Sequence, residues 1–269
     1  MLGSERTMKK IIWTLLITLT SSLVALDTYA GEWGSLKGRF VFTDTPVSPE
    51  SINVNKDVDF CSKNKLVEEN LLVGEKGGLS NVFVYLYLKK GKKIEVHPDI
   101  AKPDEKPVVL YNKGCRFEPH TLTVRTSQTL EIRNSDPGIG HNTNATTLRF
   151  NPRFNDQVSN DEPLIKVFEK AEYYPAEIAC NVHPWMKAYV LIRDNPYMTV
   201  SDAKGNFEIK NIPAGKRVFS FWQESKGNLR DLSVGKTKTS RKGQASLEIV
   251  AGETLDLGEI KVSAQVLGL

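Results

Sequence analysis

The stretch Cys180-Asn181-Val182-His183-Pro184-Trp185-Met186 places a thiol, an imidazole and a thioether within seven residues. Tyr173 to Ala179 before it reads as extended chain, and Ala188-Tyr189-Val190-Leu191-Ile192 after it is a short apolar run of strand type. The three donors therefore sit on a loop joining two strands. A thiolate is a strong soft ligand, imidazole suits copper, and a thioether supplies a weak axial contact. With a second imidazole, the set is that of a single copper ion in a two-His, one-Cys site. The second imidazole is expected from an upstream strand end. The polar loop Asn134-Ser135-Asp136-Pro137-Gly138-Ile139-Gly140 delivers His141 there. The expected metal ligands are thus His141, Cys180, His183 and, axially, Met186. Zinc fits less well, because a thioether is a poor zinc ligand. Pro184 stiffens the loop by fixing its own backbone angle.

Cys180-x-x-His183-Pro184-Trp185-Met186 resembles the ligand loop of cupredoxins of the amicyanin and plastocyanin type. Phe117-x-Pro119, Leu122-x-Val124, Thr129-Leu130-x-Ile132, Asn134-x-Asp136 and His141-Asn142 resemble the first half of the same fold. The likeness covers roughly residues 108 to 193. The whole chain also resembles longer bacterial cupredoxin-like proteins labelled as methylamine-utilisation proteins. This resemblance implies one type 1 (blue) copper ion and one-electron transfer through the outer edge of His183. It also implies a redox partner protein, a c-type cytochrome or a periplasmic dehydrogenase. Asn142 carries over as the residue that ties the two ligand loops together by hydrogen bonds. Copper delivery or storage, or a purely structural role, are the competing readings.

The start of the chain bears on location. Lys9-Lys10, an apolar run from Ile11 to Leu26 and the small residues near Ala30 form the pattern of a secretory signal peptide. Export to the periplasm is expected, with cleavage after Ala30 and no stable membrane insertion afterwards. The chain has three Cys, an odd count, so one is not bridged. Cys180 belongs with its His and Met neighbours, which leaves Cys61 and Cys115 to pair in an oxidising compartment. A closed loop of about 54 residues gives a stabilisation of about 4 kcal/mol on the chain-entropy view. The alternative is two buried free thiols. A net charge of +4 is too small and too dispersed to argue for nucleic acid. No acid–base pair, Ser-His-Asp order or phosphate loop is evident, and a four-ligand metal site leaves no position for substrate. The chain is therefore expected not to be an enzyme.

The rest of the chain reads as strands and turns without a sustained helical period, an all-β protein. Asn81 to Leu88 is the strongest strand signal. Lys89 to Lys93 is a charged turn, Pro98 to Pro107 a linker, and residues 142 to 171 a polar segment wrapping one face. Thr199 to Ile209 reads as a hairpin. With Ile212-Pro213-Ala214-Gly215 it resembles the transthyretin-type sandwiches of carboxypeptidase-regulatory-like domains. The opening strands of such a sandwich are found far upstream, at Leu36 to Phe42 and Val82 to Leu88. Ala245 to Val250 and Leu255 to Val262 are expected to close it. The expected architecture is a Greek-key cupredoxin sandwich inserted in, or packed beside, a second transthyretin-like sandwich. Its parts are a leader over 1–30, an N-terminal share of the outer sandwich over 31–95, the copper unit over 96–194 and a C-terminal share over 195–269. His97 and His120 are read as strand-end and partly exposed strand histidines, with a second metal contact as the alternative for His120. Trp185 is either a docking aromatic or packed against the second unit.

Overall fold

Alternation of apolar and polar residues along short segments yields strands that pack in facing pairs of sheets. The computed structural model describes residues 32–46 and 48–269, so the leader read over 1–30 lies outside the described residues. The protein is all-β, with only short helical turns such as Val58–Cys61 and Ala264–Leu267. Among the described residues no helix is long and apolar enough to cross a membrane.

One sandwich combines strands from both ends of the chain. Trp33–Phe42 lies between Asn206–Pro213 and Thr254–Val262 in one sheet. Phe83–Leu86 lies between Met198–Val200 and Gly215–Gln223 in the other, and Gln244–Ile249 pairs with Gly215–Gln223. Between them Val82, Val84 and Leu86 are buried in one cluster with Phe40, Phe207, Phe219 and Phe221.

A second sandwich holds residues 108–193. Its larger sheet runs Thr121–Arg125, Lys187–Arg193, Ala176–Ala179, His141–Asn144 and Asn155–Val158. Its smaller sheet runs Phe117–Glu118, Val108–Asn112, Thr129–Asn134 and Leu164–Val167. Leu110, Val124, Leu130, Ile132, Ile178, Val190 and Ile192 fill the space between.

The two sandwiches meet back to back. Phe83, Tyr85 and Trp222 point away from the first core and pack on Leu191, with Tyr189 and Met198 at the margin. This explains why Val82 to Leu86 is apolar on both faces: the strand is covered on each side. Arg193 crosses the same boundary, donating to Glu172 O at 2.8 Å and lying 5.5 Å from the Tyr85 ring.

Two sequence expectations change. The hairpin read over 199–209 is a corner, because Met198–Val200 and Asn206–Pro213 belong to facing sheets. At its turn Asp202 Oδ1 accepts from Lys204 N and Asn206 N, and Gly205 adopts φ +80°. A Cβ at Gly205 would lie 2.1 Å from Phe40 O, so this corner also requires glycine for space. The segment 142–171 is not a plain wrap. It contributes Asn155–Val158 and Leu164–Val167, one edge strand to each sheet of the second sandwich.

Candidate metal centre

The ligand loop leaves Ala176–Ala179 and enters Lys187–Arg193, antiparallel neighbours whose register holds its ends together. The loop closes on itself through Cys180 N–H to Met186 O at 3.2 Å and Met186 N–H to His183 O at 2.9 Å. His141 begins the neighbouring strand His141–Asn144, which meets Ala176–Ala179 at the Ala179–Asn144 pair. Asn142 Oδ1 accepts from Asn181 N at 2.8 Å and Val182 N at 3.3 Å and lies 3.4 Å from Cys180 Sγ. These bonds fix the His141 strand against the Cys180 loop.

The structure brings the expected donors together. Cys180 Sγ is 4.0 Å from His141 Nδ1 and 3.9 Å from His183 Nδ1. All three ligand atoms lie within 4.8 Å of one another, and all three residues are buried. With bonds of about 2.3 Å to sulfur and about 2.0 Å to nitrogen, ligands of one trigonal ion stand about 3.8 Å apart. The spacing therefore fits three donors around one ion. Met186 is buried in the core cluster that contains Cys180.

Each imidazole is held from behind. His141 Nε2 is 2.9 Å from Asp136 Oδ2, and His183 Nε2 is 2.8 Å from Asp57 Oδ2. A carboxylate on Nε2–H leaves Nδ1 as the free donor and aims it, as in carboxylate–histidine–metal sites. The donor set and its backing thus fit a soft-ligand metal ion. Asp136 is itself seated on the backbone N–H groups of Gly114 and Cys115.

The electrostatics follow. Burial opposes ionisation of Cys180, but hydrogen bonds with His141 and around Asn142 and His183 outweigh it and bring the thiol down to about 6. Burial likewise opposes charge on His141, yet Asp136 and Cys180 push it up to about 8. These two groups titrate as a pair. Burial raises Asp136, but His141 and the Cys115 and Gly114 amides hold it below the usual carboxylate range.

Cys61 and Cys115 form a disulfide. Its sulfurs lie within 4.8 Å of a His183 ring nitrogen, directly behind the ligand loop. Trp185 is half-buried; its Nε1–H donates to Cys115 O at 2.9 Å, and its ring meets His183 edge-on at 5.2 Å. It packs with Cys61, Leu66 and Cys115.

Two features differ from the sequence reading. His183 has no exposed edge: its relative exposure is 0%. The expected electron port through that edge is covered by Asp57, from a segment whose polar composition gave no hint of it. His120 is not partly exposed either. It is buried, with Nε2 2.6 Å from Glu224 Oε1 and Nδ1 3.6 Å from Glu69 Oε2. Glu224 belongs to the other sandwich. His97 caps the short turn Pro98–Ile100 and meets Trp33 edge-on at 5.1 Å, away from the centre.

The His120 cluster makes a pH prediction. Burial opposes its charge, but the hydrogen bond to Glu224 and the nearby Glu69 carboxylate outweigh burial and raise it to about 9. A raised pKa stabilises the fold fully below the unfolded value near 6.5, and that contribution is lost as pH climbs to about 9. Between pH 6 and 9.5 the native protein should lose on the order of 3 kcal/mol more stability than His120→Gln. Equal slopes in urea denaturation of the two proteins would remove the ion-pair assignment.

No protein-family model matches the chain. No curated protein matches it either. Among solved structures it is similar to a Cu-containing nitrite reductase from Thermus scotoductus SA-01, at 20% identity and TM-score 0.32 over 37% of this chain. The chain spans only 27% of that reductase. It is also similar to a mutant of amicyanin with Cu(I), at 18% identity and TM-score 0.28, over 32% of this chain and 81% of that one. A purple cupredoxin from Nitrosopumilus maritimus matches at 18% identity and TM-score 0.27, over 32% of this chain and 98% of that one. The expectation that the chain is not an enzyme is corrected here. A nitrite reductase is an enzyme, so proteins similar to this chain include one, and the exclusion of catalysis is withdrawn.

Proposed function

We propose that the protein is an exported, periplasmic cupredoxin that holds one type 1 copper ion and passes single electrons. The observation that carries this reading is the convergence of His141 Nδ1, Cys180 Sγ and His183 Nδ1 in a buried cluster, each imidazole locked by a carboxylate. Met186, buried beside Cys180, is the proposed axial contact. When bound, copper would alternate between its two oxidation states in a geometry that suits both. The chain's part is to hold the donors rigid, so that little rearrangement accompanies the change. Asn142 and the closed Cys180–Met186 turn supply that rigidity. Burial of all three strong donors keeps water from the ligand atoms. The Cys61–Cys115 disulfide supports an oxidising compartment, in line with the leader pattern of residues 1–30. The proposed partner is a one-electron redox protein, a c-type cytochrome or a periplasmic dehydrogenase.

Titration of the apoprotein with Cu(II), followed by its visible spectrum, tests this. An intense thiolate-to-copper band that saturates at one equivalent and bleaches reversibly with ascorbate is expected. Tight binding of Cu(I) without such a band would shift the reading to delivery or storage. Absence of copper binding would reject it and leave a structural role.

A further inference from the structure

The segment between Trp33–Phe42 and Phe83–Leu86 is longer than a connection requires. Its ends close on each other: Ile52 N–H donates to Leu66 O at 2.9 Å, and Glu68 N–H donates to Glu50 O at 2.8 Å. Ile52, Val54, Phe60 and Leu66 form a small apolar cluster with Cys61, Cys115 and Trp185. The disulfide fastens this closed loop to the copper sandwich through Cys115, and the Trp185 indole bonds the same residue's carbonyl. The loop is therefore held on the copper sandwich by a covalent link at Cys115 and by an apolar cluster that includes Trp185 of the ligand loop.

Asp57 stands where this loop meets His183. Its backbone is in the left-handed region, φ +45° and ψ +43°, and its carbonyl accepts from Phe60 N at 3.0 Å and Cys61 N at 2.8 Å. Side chains other than glycine are strained in that region, although Asp tolerates it better than most. The conformation brings the carboxylate, on a side chain that is 41% exposed, to 2.8 Å from His183 Nε2. The disulfide sulfurs lie within 4.8 Å of the same imidazole.

We infer that residues 48–72 are a built-in cap on the metal centre and that Asp57 is a positioning residue for His183. The cap closes the imidazole edge that would otherwise face solvent or a partner. It also places a negative charge on the back of one ligand. An anionic acceptor on Nε2–H makes Nδ1 a stronger donor, which favours the more highly charged metal state and lowers the reduction potential. Electron exchange must then reach the centre by a route other than the bare His183 edge. The copper reading above underlies the statements on potential, whereas the closure of His183 is a property of the chain alone.

The test uses the full chain in two forms. Asp57→Gly removes the carboxylate while keeping the left-handed turn, and Asp57→Asn removes only the charge. In the apoprotein, diethyl pyrocarbonate modification is mapped to each histidine by peptide mass spectrometry. His183 should be protected in the native chain and modified about tenfold faster or more in Asp57→Gly. In the copper-loaded protein, both variants should show a higher reduction potential. Copper affinity should fall by about 10–100-fold in Asp57→Gly, read as faster extraction of Cu(I) by bathocuproine disulfonate. If His183 is modified equally fast in native chain and Asp57→Gly, the cap is wrong. Unchanged potential and extraction rate with a changed modification rate would remove the positioning role. If the native chain binds no copper, the proposed function fails, and the modification experiment still decides the cap.

Discussion

Cys180→Ser is expected to abolish the visible thiolate-to-copper band and to weaken copper binding by more than about 100-fold, beyond the loss typical of a residue behind the ligands. Cys180 is 2% exposed, and its thiol is brought down to about 6 by bonds with His141 and around Asn142 and His183, so at neutral pH the site already favours the anion. A serine hydroxyl in the same place stays protonated and offers a hard, weak oxygen. The two imidazoles remain aimed by Asp136 and Asp57, so a residual two-nitrogen site should survive with a different spectrum. The fold should persist, because Ser is nearly isosteric and Asn142 Oδ1 lies within reach of a hydroxyl at this position. The expected destabilisation is about 1–2 kcal/mol for the partly compensated buried hydroxyl. Visible spectra and circular dichroism of the two proteins check both halves. A variant that keeps the band would remove Cys180 from the ligand set.

The legibility of this molecule in its sequence depends on how far apart interacting residues lie. Cys180, His183 and Met186 share one loop, so their spacing alone proposes a metal site, and the structure places the two ring donors about the sulfur. The odd cysteine count pointed to Cys61 and Cys115, which the structure joins. The run from Val82 to Leu86 was legible because both faces of that strand are covered. What could not be read has a common cause. Asp57 is 126 residues from His183, and Glu224 is 104 residues from His120, and single carboxylates leave no periodic trace. Asp57 lies four residues before Cys61, and that is the one signal available: a disulfide beside the ligand loop draws its neighbours there too. Asn155–Val158 was missed because three of its four residues are polar, and Leu164–Val167 because its apolar Ile165 and Val167 face outward on an edge strand, so neither shows the apolar-in, polar-out alternation of a half-buried strand. A chain reversal within Thr199 to Ile209 was legible, but a turn does not say whether its strands stay in one sheet.

Asp136→Ala is expected to cost about 3–5 kcal/mol, the loss typical of breaking a buried charged pair from one side. Asp136 is 2% exposed. Its carboxylate accepts from Gly114 N, from Cys115 N at 2.8 Å and from His141 Nε2 at 2.9 Å. Gly114 and Cys115 both take positive φ, +64° and +60°, which turns their amides toward one point. Successive amides in such a turn form an anion seat, and Asp136 fills it. Alanine would leave two buried donors and an imidazole edge without a partner. The same change frees the His141 ring, so copper affinity should fall by about 10–100-fold. The sign of the pH dependence follows from the depressed pKa of this carboxylate. Its stabilisation is present above the unfolded value near 3.9 and is lost as pH falls below it through the folded value. The native apoprotein should therefore lose stability between pH 5 and pH 2 more steeply than Asp136→Asn, whose amide does not titrate. Guanidinium unfolding followed by circular dichroism across that range measures both slopes. Parallel acid limbs, with Asp136→Ala within about 1 kcal/mol of the native chain, would mean that the seat is not holding a charge and that His141 is aimed by its strand alone.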